Sequence, residues 1–355
     1  MRILVASDKW KGSLTAQAAC EAMGAGLHRV WPMAEVVLRP IADGGEGTAA
    51  ALAVACGGTW MTHRVTGPLG DAVEAGYALL PDGTAVIEMA AAAGLVLTYG
   101  VRDPWRATTR GVGELMQDAV HRGALRLVIG LGGSATNDGG AGMAAALGWQ
   151  FDRLPIASTV MRSPERAWAV ETLAACDVTN PLLGERGCTR VFGPQKGVQE
   201  ADIPAFERAL AGLAACCPPA LADTPGAGAA GGLGFGLMAF CGATIVSGFG
   251  IVSELLQLEE AVIAADLVVT GEGSLDDQTL DGKGPHGIAA LARRHGKPVV
   301  AIGGRLAPEA RSAFSYAWAA SPPDLPVADA MRRAAELIIS SIEREMPALR
   351  ALVAS

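Results

Sequence analysis

From Gly130 to Gly142 the chain reads Gly-Leu-Gly-Gly-Ser-Ala-Thr-Asn-Asp-Gly-Gly-Ala-Gly, six glycines in thirteen residues. Glycines let successive backbone N–H groups converge on one concavity, and Ser134 and Thr136 add hydroxyl donors. The run follows the apolar stretch LRLVI and precedes a helical pattern, so a helix N-terminus would add partial positive charge. An anion site is the chemistry this predicts. A plain strand-to-helix turn is the blander alternative, and it requires fewer glycines. No GK[ST] closes the run, so it is not a P-loop. A G-x-G-x-x-A match at Gly130, Gly132 and Ala135, and a G-x-G-x-x-G match at Gly226, Gly228 and Gly231, leave a dinucleotide-binding alternative. The second match follows Thr224-Pro225 rather than a strand and lacks the context that motif needs.

Carboxylates form a second group, each placed just after an apolar, strand-like run. Asp8 follows RILVA, Asp43 and Glu46 follow the run at 36–41, Asp177 follows Leu173–Cys176, and Glu272 and Asp276 follow LVVT. Open α/β sheets bind ligands outside the carboxyl ends of their strands. Any single acid of this kind is more often a cap or turn residue, but several in glycine-flanked loops predict a shared site. Acids beside phosphates hold Mg²⁺ together with phosphate oxygens, and a separate Asp can accept the proton of an attacking hydroxyl. Positive partners occur in glycine contexts at Lys11, Lys196 and Lys283, among only five lysines in the chain. The five histidines and the absence of G-x-S-x-G give no support to a hydrolase triad.

The elements that must position these groups follow from periodicity. Residues 2–6, 36–41, 266–270, 298–302 and 316–319 read as apolar strands. Helical patterns run from Ser13, as N-cap, to about Val30, then over 48–56, 287–295 and 327–345. Strands alternating with helices imply a doubly wound parallel sheet, Rossmann-like, formed by both chain ends. Between them, Thr62–Thr66, Val73–Leu80 and Ala85–Met89 are strand-like runs separated by short turns, a meander of hairpins. The expected organisation is therefore 1–58 with 262–355 as one α/β domain and 59–261 as an inserted second α/β domain.

Composition narrows the classes. Half the residues are hydrophobic and 18% are charged, which excludes disorder. A net charge of −8 with no basic block argues against nucleic-acid binding. Seven scattered cysteines without CxxC or Cys/His spacing fit a reducing cytosol and no zinc site. No run is long enough for a signal peptide or a membrane span, so a cytoplasmic protein is expected.

The strings resemble, almost end to end, the type I family of bacterial glycerate kinases. The resemblance is carried by Lys11-Gly12-Ser13-Leu14, Ala42-Asp43-Gly44-Gly45-Glu46-Gly47-Thr48, Gly67-Pro68-Leu69-Gly70 and the run Gly132–Gly142. It continues in Cys176-Asp177-Val178-Thr179-Asn180-Pro181-Leu182, Phe192-Gly193-Pro194-Gln195-Lys196-Gly197, Pro225–Gly232 and Thr270-Gly271-Glu272-Gly273, with Asp276, Gln278-Thr279 and Gly282-Lys283. It implies ATP-dependent phosphorylation of glycerate to 2- or 3-phosphoglycerate in a cleft between two α/β domains, with nucleotide and a small acid as ligands. On this reading Gly132, Gly133, Ser134, Thr136, Asn137, Asp138, Gly139, Gly140 and Lys283 bind the nucleotide. Asp43, Glu272 and Asp177 are the candidate Mg²⁺ ligands. Asp177 is the favoured proton acceptor, Asp43 a further catalytic candidate, and Lys11 and Lys196 hold the substrate carboxylate or the moving phosphoryl group. Departures occur at 152–171, which lacks a glycine-rich run, at Lys9-Trp10 in place of a Ser-Phe pair, and at Ser274 and Asp277. The departure at 152–171 bears on the cleft wall, hence on substrate choice, and Ser274 and Asp277 alter the surroundings of Glu272. The rival readings are an NAD(P)-dependent oxidoreductase of a small hydroxy acid and a non-catalytic sugar-acid sensor.

Overall fold

The computed structural model describes residues 1–41, 47–276 and 284–354. The chain divides into two compact units, Met1–Asp43 with Phe249–Ser355, and Gly44–Gly248. In chain order the strands are β1 (Arg2–Ser7), β2 (Glu35–Leu38), β3 (Thr59–Thr66), β4 (Ala72–Leu79), β5 (Thr84–Glu88) and β6 (Arg126–Gly130). They continue with β7 (Gln150–Phe151), β8 (Val160–Arg162), β9 (Glu171–Ala175), β10 (Thr244–Val246), β11 (Leu267–Leu275), β12 (Val299–Leu306) and β13 (Tyr316–Ala319).

The first unit is built on a five-stranded sheet in the order β13-β12-β11-β1-β2, parallel at every pairing. β1 is buried along all but its first residue, as a strand covered on both faces must be. The order reverses at β1 and β11, the place where open α/β sheets bind ligands. The helix Ala16–Val30 packs on this sheet and on the helix Ala334–Arg344. Its N-cap is Thr15, whose hydroxyl accepts from the Ala18 amide at 3.1 Å. Ser13, the expected cap, instead donates to the Met331 carbonyl at 2.7 Å. The helical pattern at 327–345 is two helices, Val327–Arg332 and Ala334–Arg344.

The second unit holds a six-stranded sheet in the order β10-β9-β6-β5-β4-β3. β3, β4 and β5 form the antiparallel meander, and β5, β6, β9 and β10 run parallel. The units cross at 43–44 and 248–249, not at 58 and 261, because neighbouring elements follow their contacts rather than the strand count. The helix Thr48–Ala55 packs on β3, β4 and β5, so it belongs with the insertion. The helix Leu258–Ala264 packs on β1 and the helix Gly284–Arg294, so it belongs with the chain ends. Each unit has its own apolar core.

Candidate functional site

The first unit's crevice lies at the switch point and has a volume of about 950 Å³. Asp8, the residue after β1, is 5% exposed and accepts the Lys9 amide at 2.6 Å. Its own amide donates to the Gly271 carbonyl at 2.9 Å, which fixes it beside β11. Lys9 and Lys11 line the crevice, as do Glu272 and Asp276 from β11 and the turn after it. The Ser274 hydroxyl donates to Asp276 at 3.1 Å. Gly273 lies so close to the loop after β1 that a Cβ there would come within 3.3 Å of the Lys11 backbone nitrogen. Arg305 and Leu306 line the crevice from β12. The structure thus brings Lys11 and Glu272 to one place with Asp8 and Asp276, two more of the acids expected after strands, and adds Lys9 and Arg305, which were not among the expected site residues. Arg305 was hidden because the apolar run ends at Ile302, whereas β12 continues through Gly303-Gly304.

The expected Asp43 and Lys283, with Glu46, lie outside the described residues. Among the described residues no group of three or more His, Cys, Asp or Glu side chains is arranged to hold a metal by itself. An all-oxygen set of one or two carboxylates suits Mg²⁺, which completes its octahedron with water and phosphate oxygens. The carboxylates of the crevice have that donor chemistry.

The second unit carries the glycine run and Asp177 at the carboxyl edge of its own sheet. The run leaves β6 and Asp177 leaves the adjacent β9, with the Leu131 amide donating to the Ala175 carbonyl at 3.2 Å. Gly132 and Gly133 are exposed, whereas Ser134 is 7% exposed and Thr136, Asn137, Asp138, Gly139 and Gly140 are buried. These five, expected to bind the nucleotide, are packed within the protein. Asp138 accepts from the Thr109 amide and hydroxyl, both at 2.8 Å, and from the amides of Gly140 and Gly142 at 3.1 and 3.2 Å. It ties the run to the start of the helix Arg110–His121. Burial pushes its carboxyl above the ordinary range, against the pull of those donors. Asn137 donates to the Thr189 hydroxyl at 2.9 Å. Gly231, with φ +68°, lies against the run so closely that a Cβ would collide with the Thr136 carbonyl oxygen.

Lys196 is also inside. It is 2% exposed and its Nζ donates to the Thr136 carbonyl at 2.8 Å. Burial pulls its ammonium down to about 8, opposed by the charges of Cys188 and Asp138. Through that carbonyl Lys196, expected on the substrate carboxylate or the moving phosphoryl group, ties into the glycine run. Asp177 is exposed and accepts from the Gly248 amide at 2.9 Å and the Ser247 hydroxyl at 3.3 Å. Glu88, at the end of β5, accepts from the amides of Gly47 and Ala49 at 3.1 and 2.7 Å, capping the helix Thr48–Ala55. The glycine match at 226–231 gives no open dinucleotide loop: a Cβ added at Gly226, Gly228 or Gly231 would meet neighbouring atoms at 3.0 Å or less.

A parallel α/β sheet with acids and lysines gathered at its switch point defines a ligand-binding enzyme fold of the doubly wound class. Comparisons with known proteins narrow this further. The sequence pattern of the glycerate kinase family matches residues 3–349. The chain is 44% identical over 330 residues to Glycerate 2-kinase of Escherichia coli K12, covering 86% of both chains. It is 42% identical over 360 residues to Glycerate kinase of Bacillus subtilis 168, covering 95% of this chain and 94% of the relative. The crystal structure of a protein assigned as glycerate kinase 2 from Salmonella typhimurium LT2 superposes with a TM-score of 0.88 at 40% identity, over 99% of this chain and 98% of that one. The chain belongs to the glycerate kinase family.

Proposed function

We propose that this protein transfers the terminal phosphoryl group of ATP to a hydroxyl of glycerate, giving a phosphoglycerate and ADP. The observation that carries this reading is the convergence of two lysines and three carboxylates in one crevice at the switch point of the first unit's sheet. Phosphoryl transfer is mainly positioning and charge stabilisation, and this set supplies both signs of charge. Lys11 and Lys9 oppose the negative oxygens of the triphosphate. Mg²⁺, when bound, would be held by Glu272 with Asp8 or Asp276 and would neutralise charge on the nucleotide's phosphates. Asp43 remains a candidate for the same role.

At the second unit's edge, the exposed Gly132-Gly133 turn with Ser134 offers donors to the glycerate carboxylate. Asp177 accepts the hydroxyl proton as the oxygen attacks phosphorus and the bond to ADP breaks. The E. coli relative is named as a 2-kinase, and we assign the same position here. The seven cysteines are all free thiols, which suits a reducing cytoplasm. Among the described residues no helix is long and apolar enough to cross a membrane. The decisive measurement is coupled ADP release with and without glycerate, with the product identified by ³¹P NMR. Glycerate-dependent ADP release, formation of 2-phosphoglycerate and loss of activity in excess EDTA are expected. ADP release that ignores glycerate removes the reading, and full activity in EDTA removes the metal.

A further inference from the structure

The crevice is far larger than the reacting groups require. Its volume of about 950 Å³ sits at the upper end of the roughly 300–1,000 Å³ typical of pockets for sizeable ligands, whereas a three-carbon acid or a lone phosphate would leave most of it empty. Its lining is also divided by polarity. Acids and lysines come from the loop after β1 and from β11, while an apolar wall comes from the segment after β13: Pro322, Pro323, Leu325, Val327 and Met331. That segment leaves the sheet three strands from β1, about 14 Å away at the usual strand spacing. It then returns to the loop after β1, where Ser13 donates to the Met331 carbonyl at 2.7 Å. A Cβ on Gly12 would meet the Met331 methyl at 2.7 Å. Wall and lysines are therefore parts of one body.

The wall keeps apolar surface open. Val327 is 49% exposed and Met331 37%, although both face a crevice whose other side is charged. Large apolar side chains left open beside charged groups suit a ligand with a flat apolar end and an anionic end. We propose that this wall is the base subsite of the crevice: the purine of the nucleotide packs on Leu325, Val327 and Met331, with its phosphates directed to Lys9 and Lys11. This rests on the nucleotide reading above and adds which residues recognise the nucleoside.

The test compares ATP with inorganic tripolyphosphate, which shares the anionic end and lacks the base. Binding of each, with Mg²⁺ present, is measured by calorimetry on wild-type protein and on Val327→Asn, Met331→Gln and Met331→Leu. Wild type should bind ATP more tightly than tripolyphosphate. Val327→Asn and Met331→Gln should each weaken ATP by about tenfold, leave tripolyphosphate unchanged and leave the KM for glycerate unchanged. Met331→Leu should retain ATP affinity. Both polar variants alter partly exposed side chains, and circular dichroism verifies their folding. Unchanged ATP affinity in both polar variants overturns the proposal, as does equal weakening of tripolyphosphate. A change in oligomeric state with ATP affinity intact would make the wall a contact between copies and also overturn it. Tight, base-dependent ATP binding without glycerate-dependent turnover would sustain the subsite and reject glycerate as the acceptor.

Discussion

A lysine surrounded by protein behaves differently from one at a crevice mouth, although the sequence shows both as Lys beside Gly. Lys11 is exposed and lines the first unit's crevice, so its charge can act directly on a ligand. Lys196 is buried and donates to the Thr136 carbonyl of the glycine run. Its ammonium is held to about 8 against an ordinary value of 10.5. Between those values the unfolded chain binds the proton that the folded chain has released, so this group's contribution to stability rises with pH across that window. Below it, the folded state bears the cost of a buried charge. Lys196→Met removes that cost and also removes the donor to Thr136. The melting temperature of wild type relative to Lys196→Met should therefore climb from pH 7 toward pH 10. A difference that stays constant across that range would show that the lysine is not held down. With its anchor gone, the glycine run should shift enough to lower kcat/KM by about 10²-fold, the typical cost of misplacing a site by an ångström. Unchanged kcat/KM at pH 7 would remove Lys196 from the support of the site.

At the scale of elements, the strand ends carried most of what could be foreseen. Asp8, Glu272 and Asp177 were legible because apolar runs marked their strands, and ligands gather where parallel strands end. The glycine run was legible as a feature but not as a geometry. Glycines permit an open cradle and a close-packed crossing equally well, and only the distant segment at Gly231 shows that this run is largely the second. The apolar wall at 322–331 gave no signal, since its C-terminal part read only as the start of a helical pattern over 327–345. Asp177 shows the same ambiguity at a strand end. Its contacts with Gly248 and Ser247 are those of an anchor for the start of the helix Gly248–Leu255, while its exposure leaves it open to substrate. Asp177→Asn separates the two, because the amide oxygen can still accept from the Gly248 N–H. As a proton acceptor it should lose about 10²–10⁴-fold in kcat with the melting temperature nearly unchanged. Turnover close to wild type would assign the residue to anchoring alone.

The whole molecule consists of two units with separate cores, one around β1, β11 and β12 and one around β5, β6 and the helix Arg110–His121. Two cores make a single all-or-none transition an unsafe assumption, and local opening can be followed in each unit independently. The proposed division of ligands then has a readable signature in amide hydrogen exchange. A ligand that binds only the folded state stabilises what it touches by about 2.7 kcal/mol at a hundred times its Kd, and exchange through local opening should slow accordingly. ATP with Mg²⁺ should slow peptides covering 8–13 and 319–334, where the lysines and the apolar wall lie. Glycerate alone should slow peptides covering 131–135 and 176–178, where the exposed glycines and Asp177 lie. The alternative drawn from the sequence places the nucleotide on the glycine run, and it predicts the reverse for ATP. Thr136–Gly140 are buried and their amides should exchange slowly without any ligand, so the comparison must be made on Gly132, Gly133 and their neighbours. ATP protection confined to 130–142, with 8–13 and 319–334 unaffected, would return the nucleotide to the second unit and leave the first unit's crevice without its proposed occupant.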